Sequence, residues 1–164
     1  MIVAQARSPS FYADYGVPDT VDGRFEMIVL HLILVLRRLD RSGGGNDPGR
    51  SIGQLLFDAF CRDLDDNLRE MGVGDMAVPR RMRRFAEAFY GRQAAYRAAF
   101  DADDPEDLEK AIARNIFGMP DADEKAAGLA RYARAAAMVL DGETESALFA
   151  GKAVFPPPEA VCHA

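Results

Sequence analysis

No tryptophan occurs in this 164-residue chain, and only two cysteines and two histidines do. Cys61 and Cys162 stand far apart with no CxxC or CxxCH pairing. That spacing argues against a disulfide framework, a zinc site and covalent haem attachment, and makes a reducing compartment the expectation. Valine, isoleucine and threonine number only 18, against 40 alanines and leucines. Long alternating strands are disfavoured by that shortage, whereas unbranched side chains lose little freedom in a helix. No nearly unbroken apolar run exceeds the ten residues Met27 to Leu36, well short of the ~20 a membrane-spanning helix needs, and its flanks do not resemble a secretory leader. Positive charge is also in deficit, with 20 basic residues against 26 acidic ones and a net charge of -6. An overall positive field is therefore missing, and no DNA partner is expected.

What is present is a succession of helix signals on a chain long enough for one domain with a real core. The opening residues "MIVAQA" read as helix without a leading cap, as in a chain cut from a longer protein, until Ser8-Pro9 breaks it. "SFYADYG" is a short amphipathic turn closed by Gly16 and Pro18, after which Asp19 or Thr20 caps a long helix to Asp40. Residues 41–50, "RSGGGNDPGR", form the strongest loop signal, and Ser51 is the expected cap of the next helix, which Gly72 ends. On that helix Phe57, Phe60, Cys61, Leu64, Leu68 and Met71 make the expected buried stripe. Asp58, Arg62, Asp65 and Arg69 make a ladder of alternating charge on its other side. Pro79 opens a helix reaching about Phe100, and Asp104-Pro105 opens another that Gly118 closes. Asp121 begins an alanine-rich helix to about Leu140, and Thr144 caps a short one ending at Gly151. The prediction is an all-α, single-domain bundle of six to seven helices over residues 1–155, followed by a Pro-rich tail, 156–164, either loose or docked through Phe155.

Unrolled at about 100° per residue, the helix from Thr20 to Asp40 has two apolar sectors, as a central bundle helix requires. Between them Arg24, His31 and Arg38 fall on one line, seven residues apart each time. Flanking cations disfavour an imidazolium, so His31 is expected neutral. It reads either as a partly buried histidine bonded to a neighbouring helix or as part of a contact line on a binding surface. A metal site is disfavoured because no HxxxH pair or nearby thiol completes it. A catalytic base is disfavoured because no recognisable nucleophile motif accompanies it. "GGGNDPG" lacks the lysine and preceding strand of a phosphate loop. No enzyme, cofactor or metal is expected. Arg80, Arg81, Arg83 and Arg84 crowd a helix start, where the dipole disfavours cations. The cluster reads either as a helix start that simply happens to be basic or as an anionic-surface patch suited to lipid headgroups, RNA phosphate or an acidic protein.

Three stretches carry a family resemblance: "FYADYGVPDTVDGRFEMIVLHLILVLRRL" (11–39), "GQLLFDAFCRDLDDNLREMGVGDMAVPRRMRRFAEAFYGR" (53–92) and "AIARNIFG" (111–118). Together they cover over half the chain, and the sequence resembles the ubiquinol-cytochrome c chaperones of alphaproteobacteria and mitochondria. The resemblance implies a non-enzymatic, all-helical assembly factor that binds newly synthesised apocytochrome b during biogenesis of complex III. It further implies a monomer in the bacterial cytoplasm, peripheral to the inner membrane, on what is the matrix side in mitochondrial relatives. Additional contacts implied are the membrane surface and a ribosome or small partner protein. The matching motifs nominate Tyr12, Tyr15, Asp19, Thr20, Arg24, His31, Asp58, Asp65, Arg69, Tyr90 and Arg92 as client-binding, together with the arginine patch. Asp19 and Asp58 have structural alternatives as a cap and as a ladder member. The rival reading is an RNA- or ribosome-binding helical module acting through Arg80 to Arg84.

Overall fold

The computed structural model describes residues 1–41 and 48–162. Every regular element among them is helical. Residues 42–47 of the expected glycine-rich loop lie outside the described residues.

The architecture is organised around α3 (Val21–Asp40), the long apolar helix. Thr20 is its cap, with its hydroxyl accepting from the Gly23 amide at 3.0 Å, while Asp19 instead pairs with Arg24 at 2.6 Å. Both apolar sectors are used. Met27 and every residue from Val29 to Leu36 are buried, as is Leu39. Five other elements close on α3: α1 (Ile2–Ala6), α4 (Pro48–Glu70), α5 (Val78–Asp101), a π-helical turn (Ala113–Phe117) and α7 (Glu124–Gly142). The short α2 (Pro9–Ala13) feeds the buried rings of Phe11 and Tyr15 into the same core. Alanines at 126, 130, 133, 136 and 137 keep the buried face of α7 thin, so its backbone can approach its neighbours closely.

Side-chain caps set the starts of α3, α7 and α8, and the differences from the sequence reading are local. α4 starts at Pro48, a turn before Ser51, because proline is preorganised for the first helical turn. The cap of α7 is Asp123, whose carboxylate accepts from the Ala126 amide at 2.9 Å, and not Asp121. Asp104 does supply the start of α6 (Glu106–Ile112), accepting from the Glu106 amide at 2.9 Å. α6 then widens into a π-helical turn, Ala113–Phe117, which Gly118 ends at φ +65°. Thr144 caps α8 (Glu145–Phe149). The expected buried stripe of α4 is half-buried at Phe57, Phe60, Cys61, Leu64 and Leu68 and ends at an exposed Met71.

The tail is docked. Phe155 places its ring 5.1 Å from the imidazole of His31, edge to face. Beyond it the chain forms another short helix, α9 (Pro158–Cys162), packed on α2 and α7. α8 ends before Gly151, whose φ is +75°, and the expectation that the Pro-rich tail forms no helix is corrected at Pro158, which opens one of its own.

Candidate functional site

His31 lies in the interior, 0% exposed. Its Nδ1–H donates to the Met27 carbonyl at 2.7 Å, one turn back on its own helix. That bond fixes the tautomer and leaves Nε2 to accept from the Tyr132 hydroxyl at 2.9 Å. The Tyr132 oxygen accepts from the Gln5 side-chain amide at 3.0 Å, and the same amide nitrogen lies 3.0 Å from the Pro156 carbonyl. Burial drops the imidazole from its ordinary 6.5 to about 4, and the bond to Met27 only partly offsets the drop. The expectation of neutrality holds, but its cause is desolvation and not the flanking arginines.

His31 and Arg38 of the Arg24, His31, Arg38 line therefore face other helices, whereas Arg24 is exposed at the start of α3. Arg38 donates from Nε to the Leu140 carbonyl at 3.1 Å and from a terminal nitrogen to that of Glu143 at 2.9 Å, satisfying carbonyls at the end of α7. Arg24 stacks over Tyr12 with its guanidinium carbon 5.5 Å from the ring centre. Two residues nominated as client-facing, Tyr15 and His31, are enclosed. The Tyr15 hydroxyl donates to the Pro158 carbonyl at 2.7 Å, and burial pushes its pKa to about 12.

The other nominated residues are spread over several surfaces. Tyr12 is half-buried and donates to the Ala6 carbonyl at 2.8 Å. Thr20 is occupied as the α3 cap. Asp58 accepts from Gln54 at 2.8 Å, and Asp65 pairs with Arg69 at 2.7 Å within the expected ladder. Tyr90 is exposed with its ring 5.7 Å from that of Phe57. Arg92 grips Glu26 of α3 with two nitrogens, one at 2.7 Å. Burial raises the Glu26 pKa, with the guanidinium opposing the rise.

Three concave surfaces flank α4 among the described residues, the smallest of them lined by Gly53, Phe57 and Tyr90. One is an apolar groove of about 550 Å³. Its floor is a stripe of α3, Ile28, Leu32, Val35 and Leu39, and its walls come from α1, α4 and α8. Asp63 is the one charged side chain lining it among the described residues. Leu55 on α4 is 63% exposed at this groove, a large apolar side chain left facing water. Sequence reasoning missed Leu55, which stands on the charged side of α4, and Phe149, on a helix for which it named no buried face. The adjacent leucines of "QLLF" signal an apolar arc on α4 wider than one stripe.

The second surface is a cleft of about 420 Å³ between α3, α4 and α5. Phe25, Leu64, Leu68 and Phe85 give it an apolar floor, while Arg81, Arg84 and Arg92 bring cations to it. The arginines nominated at 81, 84 and 92 are thus brought together, whereas Tyr15, His31 and Asp58 are not among the cleft's lining residues.

Fold and surfaces define a helical binding domain, with apolar concavities large enough for side chains of another chain. A family model described as ubiquinol-cytochrome C chaperone matches residues 13–155. The chain belongs to that family. It is 26% identical over 149 residues to "Ubiquinol-cytochrome-c reductase complex assembly factor 1" of Xenopus laevis, a match spanning 90% of this chain and 72% of that one. The crystal structure of the Cbp3 homolog from Brucella abortus superposes with a TM-score of 0.83 at 40% identity, covering 96% of this chain and 86% of the other.

Proposed function

We propose that this chain is an assembly chaperone of complex III whose client is newly synthesised apocytochrome b, held through the groove between α1, α3, α4 and α8. The observation that carries the reading is the groove's chemistry: about 550 Å³ of apolar lining with a single carboxylate. A membrane-protein helix not yet embedded in lipid needs such a surface, because its side chains cannot be hydrated without cost. The relative from Xenopus is named for assembly of the same complex. The chaperone needs no cofactor and performs no catalysis in this reading. It works at the periphery of the inner membrane, although no helix among the described residues is long and apolar enough to cross one.

A photocrosslinking residue at Leu55, in a translation system making cytochrome b, tests the client and the surface together. Crosslinks to the nascent chain are expected, and Leu55→Glu should abolish co-purification of the client while leaving the thermal midpoint unchanged, since position 55 is exposed. Undiminished capture by Leu55→Glu would remove the groove from the reading. Capture of other membrane proteins in place of cytochrome b would remove the client.

A further inference from the structure

The turn joining α4 to α5 is exposed throughout residues 74–77. Met71 is 75% and Met76 93% exposed on it. The first two turns of α5 follow directly with Arg80, Arg81, Arg83 and Arg84, all exposed. On a helical wheel of about 100° per residue, Arg80 and Arg83 lie opposite Val78, Phe85 and Phe89, while Arg84 and Arg81 lead round to the cleft that they line beside Phe85. The side chains of the four make no ion pair or hydrogen bond with another described residue. The acids nearby form no ion pair with them, and that includes Asp22 of α3, which lines the same cleft as Arg81 and Arg84. Asp75 is bound to Arg69 at 2.6 Å, and Arg69 also holds Asp65. Glu87 is the one acid in the first half of α5, and it forms no ion pair with these arginines.

We propose that this tip is a docking surface for an anionic phospholipid bilayer, with Met71 and Met76 entering the headgroup region and the four arginines engaging lipid phosphates. A bilayer offers phosphates and an apolar layer at adjacent depths, which is the pairing that unpartnered arginines and water-exposed thioethers need. RNA answers only half of the pattern, because residues 71–84 contain no aromatic ring on which a base could stack. The guanidinium fork further suits bidentate contact with phosphate. This surface is separate from the apolar groove, so the inference stands whatever occupies the groove.

Co-sedimentation of the full chain with vesicles tests it in the absence of any client. Vesicles of phosphatidylglycerol in phosphatidylcholine should carry the protein down, and phosphatidylcholine alone should not. Each arginine near an anionic surface contributes roughly a fivefold gain in partitioning. Arg80→Glu combined with Arg83→Glu should therefore cut binding by about twentyfold or more with an unchanged melting curve, since neither side chain holds the fold together. Arg80→Lys with Arg83→Lys should stay within about threefold of the parent, and Met76→Asp should weaken binding on its own. Equal sedimentation of the charge-reversed and parent proteins overturns the proposal, as does equal binding to neutral vesicles. Failure to bind vesicles while poly(U) or polyglutamate is retained, and lost on charge reversal, assigns the patch to nucleic acid or to an acidic protein and also overturns it.

Discussion

A histidine enclosed by Phe11, Tyr132 and Phe155 titrates against folding. In the folded protein His31 holds no proton until about pH 4, whereas in the unfolded chain it takes one up near 6.5. Below that value the unfolded state binds more protons, so stability falls as pH falls. The part due to His31 is intact above pH 7, drops by about 2 kcal/mol by pH 5 and is lost in full below pH 4. Urea midpoints at pH 7.5 and 5 should show this loss, and His31→Gln should reduce it by about that amount while still accepting from Tyr132. An identical pH response in His31→Gln would mean that other groups carry the acid sensitivity. The row of Arg24, His31 and Arg38 was legible in the sequence, because seven-residue spacing fixes a line on a helix. What the line faces was not. Tyr132 lies 101 residues away from His31, and spacing within one helix says nothing about the helix packed on it.

At the scale of elements, caps and apolar periodicity are local chemistry, and there the sequence was most readable. Thr20, Asp104, Gly118 and Thr144 do what their types and neighbours require. The short α9 and the π-helical turn after Ile112 depend on packing against distant helices, which no window of sequence contains. The width of α4's apolar arc was misjudged for a similar reason, since a half-buried helix flanked by three concavities has no single inward face. Two glycines separate these influences. A Cβ on Gly23 would stand 2.0 Å from the Pro18 carbonyl oxygen, so the first turn of α3 closes only with glycine there. Gly53 is buried where α4 meets α3, but a Cβ there would meet Leu36 at 3.4 Å, an ordinary contact. Gly23→Ala should cost roughly 1–3 kcal/mol through the forced backbone shift. Gly53→Ala should be neutral or stabilise by up to about 1 kcal/mol through helix propensity. Chemical denaturation of the two variants checks the ordering, and equal effects would contradict it.

At the scale of the whole molecule, the two ends of the chain close over one polar chain of bonds. Gln5, Tyr132, His31 and Met27 are linked in series, and the Pro156 carbonyl adds the tail to the same amide. Buried polar groups stabilise a unique arrangement when every member has a partner and penalise the fold when one is removed. The tail is thus a structural component of the bundle, and α1, which it helps to hold through Gln5, forms one wall of the apolar groove. Ending the chain at Phe155 removes the acceptors of Gln5 and Tyr15 and uncovers the surface under Pro158 and Val161. The expected loss is about 3 kcal/mol, or roughly 6–12 °C in melting temperature for a domain of this size. Client capture should fall along with it, because a loosened α1 leaves the groove open on one side. Gln5→Ala in the complete chain separates the two effects: it removes the tie between α1 and the tail but leaves the Tyr15 bond and α9 in place. A small stability loss of about 1 kcal/mol with a larger fall in capture would tie groove geometry to this bond. Capture that simply follows stability across both variants would show that the tail serves the fold alone.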